Sequence, residues 1–173
     1  MHRILLVDDE PNILSALRRC LASIDVGELD GEALKVEAFT SPEQALERSE
    51  EQDFDLVISD YRMPSMDGVE FLAAMMELQP AVPRMICSGY ADRDAIIDAV
   101  NEVQLARFIG KPWVDEELAS AVVTLLRPGG ERARAQRRAG AQKPARVQVD
   151  PARVTHVEQD DDGAIVLRSD DPA

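Results

Sequence analysis

Apolar residues come in short bursts along the first two-thirds of the chain. Ile4–Val7, Leu34–Ala38, Leu56–Ser59, Arg84–Cys87 and Arg107–Ile109 hold few polar positions, and several show no alternation at all. Unalternating runs this short suit parallel strands covered on both faces. They recur at intervals of roughly 20–30 residues, the length of a strand plus a crossover helix. Between them the period turns helical. Val69, Leu72, Ala73 and Met76 form one stripe, Ile96, Val100 and Val103 another, and Leu118, Val122 and Leu125 a third. Ser41-Pro42-Glu43 reads as a helix start, with a hydroxyl cap, a proline whose missing N–H costs nothing there, and an acid near the positive end of the helix dipole. Five strands alternating with five helices predict an α/β fold, a doubly wound parallel sheet with helices on both faces. Ligands of such sheets lie outside the carboxyl ends of the strands.

Those ends carry the charge. The first strand runs into Asp8-Asp9, the third into Asp60, the fourth into Ser88 and the fifth into Lys111-Pro112. Taken singly, each is ordinary: a solvated turn, a strand end, a loop. Their position at the ends of predicted strands, all within 105 residues, is what singles them out. Three carboxylates in one cleft repel and need a counter-charge. Mg²⁺ suits them, being a hard cation that takes a few carboxylates, a carbonyl and retained waters. Lys111 adds a cation able to hold a phosphate oxygen, and Ser88 a hydroxyl. A carboxylate beside a divalent ion and a lysine fits covalent phosphoryl transfer with the carboxylate as nucleophile.

The chain's 173 residues include 33 acidic and 19 basic ones, for a net charge of −14, and 45% are hydrophobic. That apolar share supports a buried core and excludes wholesale disorder. The acidity argues against nucleic acid and anionic membranes as partners. The apolar run Ile4–Val7 is shorter than the roughly 7–15 residues of a signal peptide, so a cytoplasmic protein is expected. Cys20 and Cys87 form no paired motif, and His2 and His156 are the only histidines, so no Cys/His metal site is expected. Cys87, inside an apolar run, reads as a buried core thiol.

Charge also divides the chain. Residues 1–127 hold the fold; residues 128–147, opening on Pro128-Gly129-Gly130, carry 6 basic and 1 acidic side chains and read as a basic linker. Its arginines (Arg132, Arg134, Arg137, Arg138) lack interleaved aromatics, which favours a clasp on acidic protein over nucleic-acid binding. Residues 148–173 form an acidic tail, either disordered or a small β-hairpin turning at Asp162-Gly163 between Val154–Val157 and Ala164–Arg168. Nothing pairs His156 with a catalytic or metal group.

"ILLVDDE" at 4–10, "LVISDYRMPSMDG" at 56–68, "ICSGYAD" at 86–92 and "FIGKPW" at 108–113 together resemble the receiver domains of two-component response regulators, over about residues 3–126. The resemblance implies a flavodoxin-like sheet of order 2-1-3-4-5. It implies Asp60 as phosphate acceptor, Asp9 as direct Mg²⁺ ligand, Asp8 acting largely through water, and Asp60 with the backbone carbonyl of Arg62 completing the protein's ligands. Lys111 and Ser88 would hold phosphoryl oxygens, and the Lys111–Pro112 peptide would be cis. Phe108 occupies the switch aromatic position. On phosphorylation Ser88 would move toward the phosphate and Phe108 turn inward, altering the face made by Ala91–Val103, Ala106–Ile109 and Asp115–Leu126.

The implied partners are a sensor histidine kinase or histidine phosphotransfer protein and an unidentified downstream protein, with a homodimer also open. The activity would be self-catalysed phosphotransfer and slow autodephosphorylation, not that of an enzyme. A phosphate sink or relay member without its own output is the alternative within signalling, and a small-molecule phosphatase or an idle scaffold the alternatives outside it. Arg62 and Tyr90 depart from the average receiver and are read as shielding the acyl phosphate from water. Trp113 with "YRMP" and "SGYAD" is similar to receivers joined to cyclic-dinucleotide hydrolases, although Trp113 itself reads as packing against the last helix. The roughly 46 residues after Arg127 are too few for a usual catalytic or helix-turn-helix output.

Overall fold

The computed structural model of the chain describes residues 1–89 and 103–127, and the backbone of two tail strands, 156–159 and 165–168. In chain order the elements are β1 (His2–Val7), α1 (Pro11–Ala22), β2 (Leu34–Phe39), α2 (Pro42–Glu51), β3 (Leu56–Ser59), α3 (Gly68–Leu78), β4 (Arg84–Gly89), β5 (Arg107–Lys111) and α4 (Asp115–Leu126), followed by the tail strands β6 (His156–Gln159) and β7 (Ile165–Arg168). The first five strands form one parallel sheet ordered β2-β1-β3-β4-β5, the doubly wound flavodoxin-like order. The helical stripe at Ile96 and Val100 lies outside the described residues.

The sheet divides the core in two. On β1, Ile4 and Leu6 belong to one apolar cluster with α1 and α4, and Leu5 and Val7 to the other with α2 and α3. Both faces are covered, which is why the strands read as unbroken apolar runs. The strands outrun those patterns where the ladder is local to neither sequence. His2 and Arg3 extend β1 by pairing with Leu34 and Lys35. Ser88 and Gly89 pair with Gly110 and Lys111, so two predicted site residues are rungs of the sheet rather than loop residues beyond it.

Helix α2 starts as expected: the Ser41 hydroxyl accepts from the Gln44 N–H. Helix α3 starts with a full capping box, Asp67 accepting from Val69 and Glu70 while the Glu70 carboxylate accepts from the Asp67 N–H. Its buried side differs from the predicted stripe. Phe71 and Met75 are buried with Val69 and Leu72, whereas Ala73 and Met76 are half-buried. Gly68–Leu78 is apolar nearly all round, so its period does not single out one face. The connection Asp25–Glu32 contains a 3₁₀ turn over Val26–Leu29. The Asp25 carboxylate caps it through the Gly27 N–H, and Leu29, only 2% exposed, plugs it into the core.

Two polar groups brace the sheet. Arg84, at the start of β4, has no exposed surface; its guanidinium donates to the carbonyls of Val103 (2.6 Å), Val82 (2.9 Å) and Pro80 (3.3 Å). Glu37, on the edge strand β2, accepts from Arg48 (2.8 Å) and also meets Lys35 (3.2 Å) and Arg3 (3.4 Å). The hydrogen bond from Arg48 holds the Glu37 carboxyl below its usual range. A depressed folded-state pKa stabilises at neutral pH and is lost as pH falls through it. Glu37→Gln should therefore cost about 1 kcal/mol near pH 7, a difference that fades on acidification below the usual carboxylate range, measured by urea unfolding at several pH values.

Cys87 and Cys20 are buried, and burial pushes their thiols up to about 12 and about 11, with the backbone oxygen of Asp115 accepting from the Cys20 thiol. Thiols so little ionised are unreactive. Iodoacetamide at pH 8 should label neither until urea unfolds the chain, as read by intact mass. The indole of Trp113 packs against the α1/α4 cluster and donates to Asp115 at 3.0 Å. In the tail, β6 and β7 pair antiparallel, with His156 opposite Arg168 and Gln159 opposite Ile165; the Asp162-Gly163 turn and the basic segment 128–147 lie outside the described residues. Among the described residues no helix is long and apolar enough to cross a membrane.

Candidate functional site

Where β1 and β3 leave the sheet, the backbone fixes the two central acids. The Asp8 N–H donates to Phe39 (3.2 Å) and the Asp60 N–H to Val7 (2.8 Å). Both side chains are nearly enclosed, Asp8 at 1% and Asp60 at 7% exposure. Asp9 is half-buried beside them, and one oxygen from each of the three carboxylates lies within 4.8 Å of the others. From β5, the Lys111 ammonium reaches Asp8 Oδ2 at 2.7 Å and Asp60 Oδ1 at 2.8 Å. The remaining oxygens take backbone donors: Glu10 N–H on Asp8 at 2.9 Å and Arg62 N–H on Asp60 at 3.1 Å.

The electrostatics follow from this crowding. Burial foremost, with the neighbouring Asp60 charge, pushes the Asp8 carboxyl up against the pull of Lys111 and the Glu10 N–H. Burial also works against the Lys111 ammonium, but hydrogen bonds to Asp60 and Asp8 outweigh it and keep its pKa above the ordinary value. Lys111 therefore stays charged. Three carboxylates against one ammonium leave the cleft strongly negative, and closely spaced hard oxygen donors are the set a small divalent cation such as Mg²⁺ takes. The geometry can neutralise an incoming phosphoryl group and offer it a carboxylate oxygen.

The remaining predicted residues are placed as follows. Ser88, 2% exposed, stands on the last stretch of β4, and the Lys111–Pro112 peptide is cis. Arg62 presents its N–H to Asp60 while its side chain is exposed. Tyr90 lies outside the described residues. Phe108, expected to turn inward on phosphorylation, is already buried at 5% exposure with Ile86 and Val103. Without a hydroxyl it gains nothing from solvent.

Gly68 is a site residue that sequence reasoning missed. A Cβ there would stand 2.2 Å from the carbonyl oxygen of Asp60 and 2.9 Å from Cα of Tyr61. Its N–H donates to the Tyr61 carbonyl at 2.8 Å. Only glycine lets the first turn of α3 close over the backbone that carries Asp60. The signal was present in the sequence as Asp67-Gly68-Val69-Glu70, a capping box that puts Gly68 at the head of a helix.

A doubly wound sheet with this acid cluster and lysine defines a class, and the family comparison agrees with it. The response regulator receiver domain family matches residues 4–123, and the chain belongs to that family. It is 36% identical over 119 residues to the hydrogenase transcriptional regulatory protein HoxA of Cupriavidus necator, covering 69% of this chain and 23% of that protein. The chain thus spans about a quarter of the length of such curated relatives. Among solved structures it is similar to the signal receiver domain of an HD domain-containing protein from Pseudomonas fluorescens Pf-5, with TM-score 0.68, 30% identity, and 78% of this chain and 93% of that one covered. It is also similar to a CheY-like receiver domain protein from Methanospirillum hungatei JF-1, with TM-score 0.66, 26% identity, and 77% and 98% covered.

Proposed function

We propose that residues 1–127 form a receiver that accepts a phosphoryl group on Asp60 from a histidine kinase or histidine phosphotransfer protein and signals through state-dependent contact with another protein. The observation that carries this reading is the Lys111 ammonium bridging Asp8 and Asp60 at 2.7 and 2.8 Å, with Asp9 completing the cluster. Asp8, Asp9, Asp60 and the backbone carbonyl of Arg62 would hold Mg²⁺, which supplies charge neutralisation for the transferring phosphoryl group. An Asp60 oxygen forms the new bond to phosphorus as the bond to the donor's histidine nitrogen breaks. Lys111 holds one phosphoryl oxygen and Ser88 another. The readout surface includes Ala106–Ile109 and α4. With Phe108 already inside the core, the response depends on Ser88 and Lys111 rather than on an aromatic side chain entering from solvent.

Incubation with acetyl phosphate and Mg²⁺, followed by intact mass and peptide mapping, tests the chemistry. One base-labile phosphoryl group on Asp60, lost when EDTA is present, is the expected result; no label, or a label elsewhere, overturns the reading. Beryllofluoride-loaded and free protein should then differ in the partners they retain. Arg62, two residues past Asp60, and Tyr90, two past Ser88 in the sequence, are read as shielding the acyl phosphate, so Arg62→Ala and Tyr90→Ala should shorten its half-life. Unchanged lifetimes would remove that role.

A further inference from the structure

Ser59 is out of place in β3. Its strand neighbours Leu56, Val57 and Ile58 are apolar, and Ser59 is as deeply buried as they are, with no exposed surface. Burying an unbonded hydroxyl is unfavourable, and an apolar side chain would serve the core better. The hydroxyl instead donates to the backbone carbonyl of Asp60 at 2.7 Å. That bond sits where the ladder stops, since Ser59 is the last residue of β3 paired with Val7 and Ile86. Beyond it the chain turns away, and the Ser59 hydroxyl gives the Asp60 carbonyl a partner where β3 leaves the ladder. The same oxygen is in tight contact with α3, where a Cβ on Gly68 would approach to 2.2 Å. The peptide joining Asp60 to Tyr61 is therefore held between a hydroxyl and a helix start. One residue on, the Arg62 N–H meets the Asp60 carboxylate.

We propose that Ser59 is a positioning residue for phosphoryl transfer: by fixing the Asp60–Tyr61 peptide, its hydroxyl sets the aim of the Asp60 carboxylate and of the Arg62 backbone. The inference rests on Asp60 as acceptor. Small misplacements of a nucleophile cost rate even where the fold persists.

The test compares wild type, Ser59→Ala, Ser59→Cys and Ser59→Thr for melting temperature and for the initial rate of Asp60 labelling by acetyl phosphate at saturating Mg²⁺. Loss of one hydrogen bond should slow labelling about fivefold in Ser59→Ala. Ser59→Thr, which keeps a hydroxyl, should stay within about twofold of wild type, with Ser59→Cys between them. A purely structural role would lower the melting temperature and leave the rate per folded molecule unchanged. Wild-type rates in Ser59→Ala, or no recovery in Ser59→Thr, overturn the inference. If Ser59→Ala does not fold, the near-isosteric Ser59→Cys against Ser59→Thr decides in the same way. An unlabelled wild type would instead overturn the phosphoacceptor reading itself, so the two failures are distinguishable.

Discussion

Asp60→Asn should abolish labelling by acetyl phosphate, a loss on the order of 10⁴-fold or more, as replacement of a nucleophile commonly costs. The substitution keeps the shape of the side chain and removes the anionic oxygen that would bond to phosphorus. It also replaces the ion pair with Lys111, 2.8 Å in the native protein, with a hydrogen bond from the ammonium to an uncharged amide oxygen. The fold should survive, because the Asp60 backbone stays tied to Val7 and Lys111 still reaches Asp8 at 2.7 Å. Mg²⁺ affinity should fall as well, since one of three clustered carboxylates is gone. Circular dichroism, Mg²⁺ titration and intact mass on one preparation separate these effects. A variant that is folded and still labelled would mean that another residue accepts the phosphoryl group.

Gly68→Ala is the second large effect, and it acts through stability. A methyl group 2.2 Å from a backbone oxygen cannot be accommodated by a side-chain rotation, so the Asp60–Tyr61 backbone or the start of α3 must shift. Overpacking of this kind costs about 2–3 kcal/mol, roughly 8 °C or more in Tm for a domain of this size. The shift falls on the segment that carries Asp60, so labelling should slow as well. Gly89→Ala is the matched control: among the described residues a Cβ there meets nothing within 4 Å, and its melting temperature should be unchanged. Equal melting temperatures for the two variants would mean that the close approach at Gly68 relaxes at little cost.

Much of this was legible in the sequence because parallel strands covered on both faces write themselves as bare apolar runs, and Ile4–Val7 and Leu56–Ser59 are such runs. The cluster followed from the same logic, since Asp8, Asp9, Asp60 and Lys111 each fall at the end of one. What was not legible depends on partners distant in the chain. Ser88 and Gly89 continue β4 because Gly110 and Lys111 lie alongside. Leu29 turns a polar connection into an anchored 3₁₀ turn because a core pocket receives it. In α3 the apolar residues outnumber the positions that can be buried, so composition hid the face. Phe108 gave no sign of its position, since an aromatic residue in a strand reads the same whether turned in or out.

Arg84 opens β4, yet its charge is wholly enclosed and satisfied in part by Val103, nineteen residues further on. An uncompensated buried charge costs several kcal/mol. A fragment ending at β4 would leave this guanidinium without one of its carbonyls and in need of water, so it should unfold rather than persist as a half-sheet. The segment that supplies Val103, just ahead of β5, is consequently a condition for the rest of the domain to fold, and a truncation or fusion point must lie beyond it.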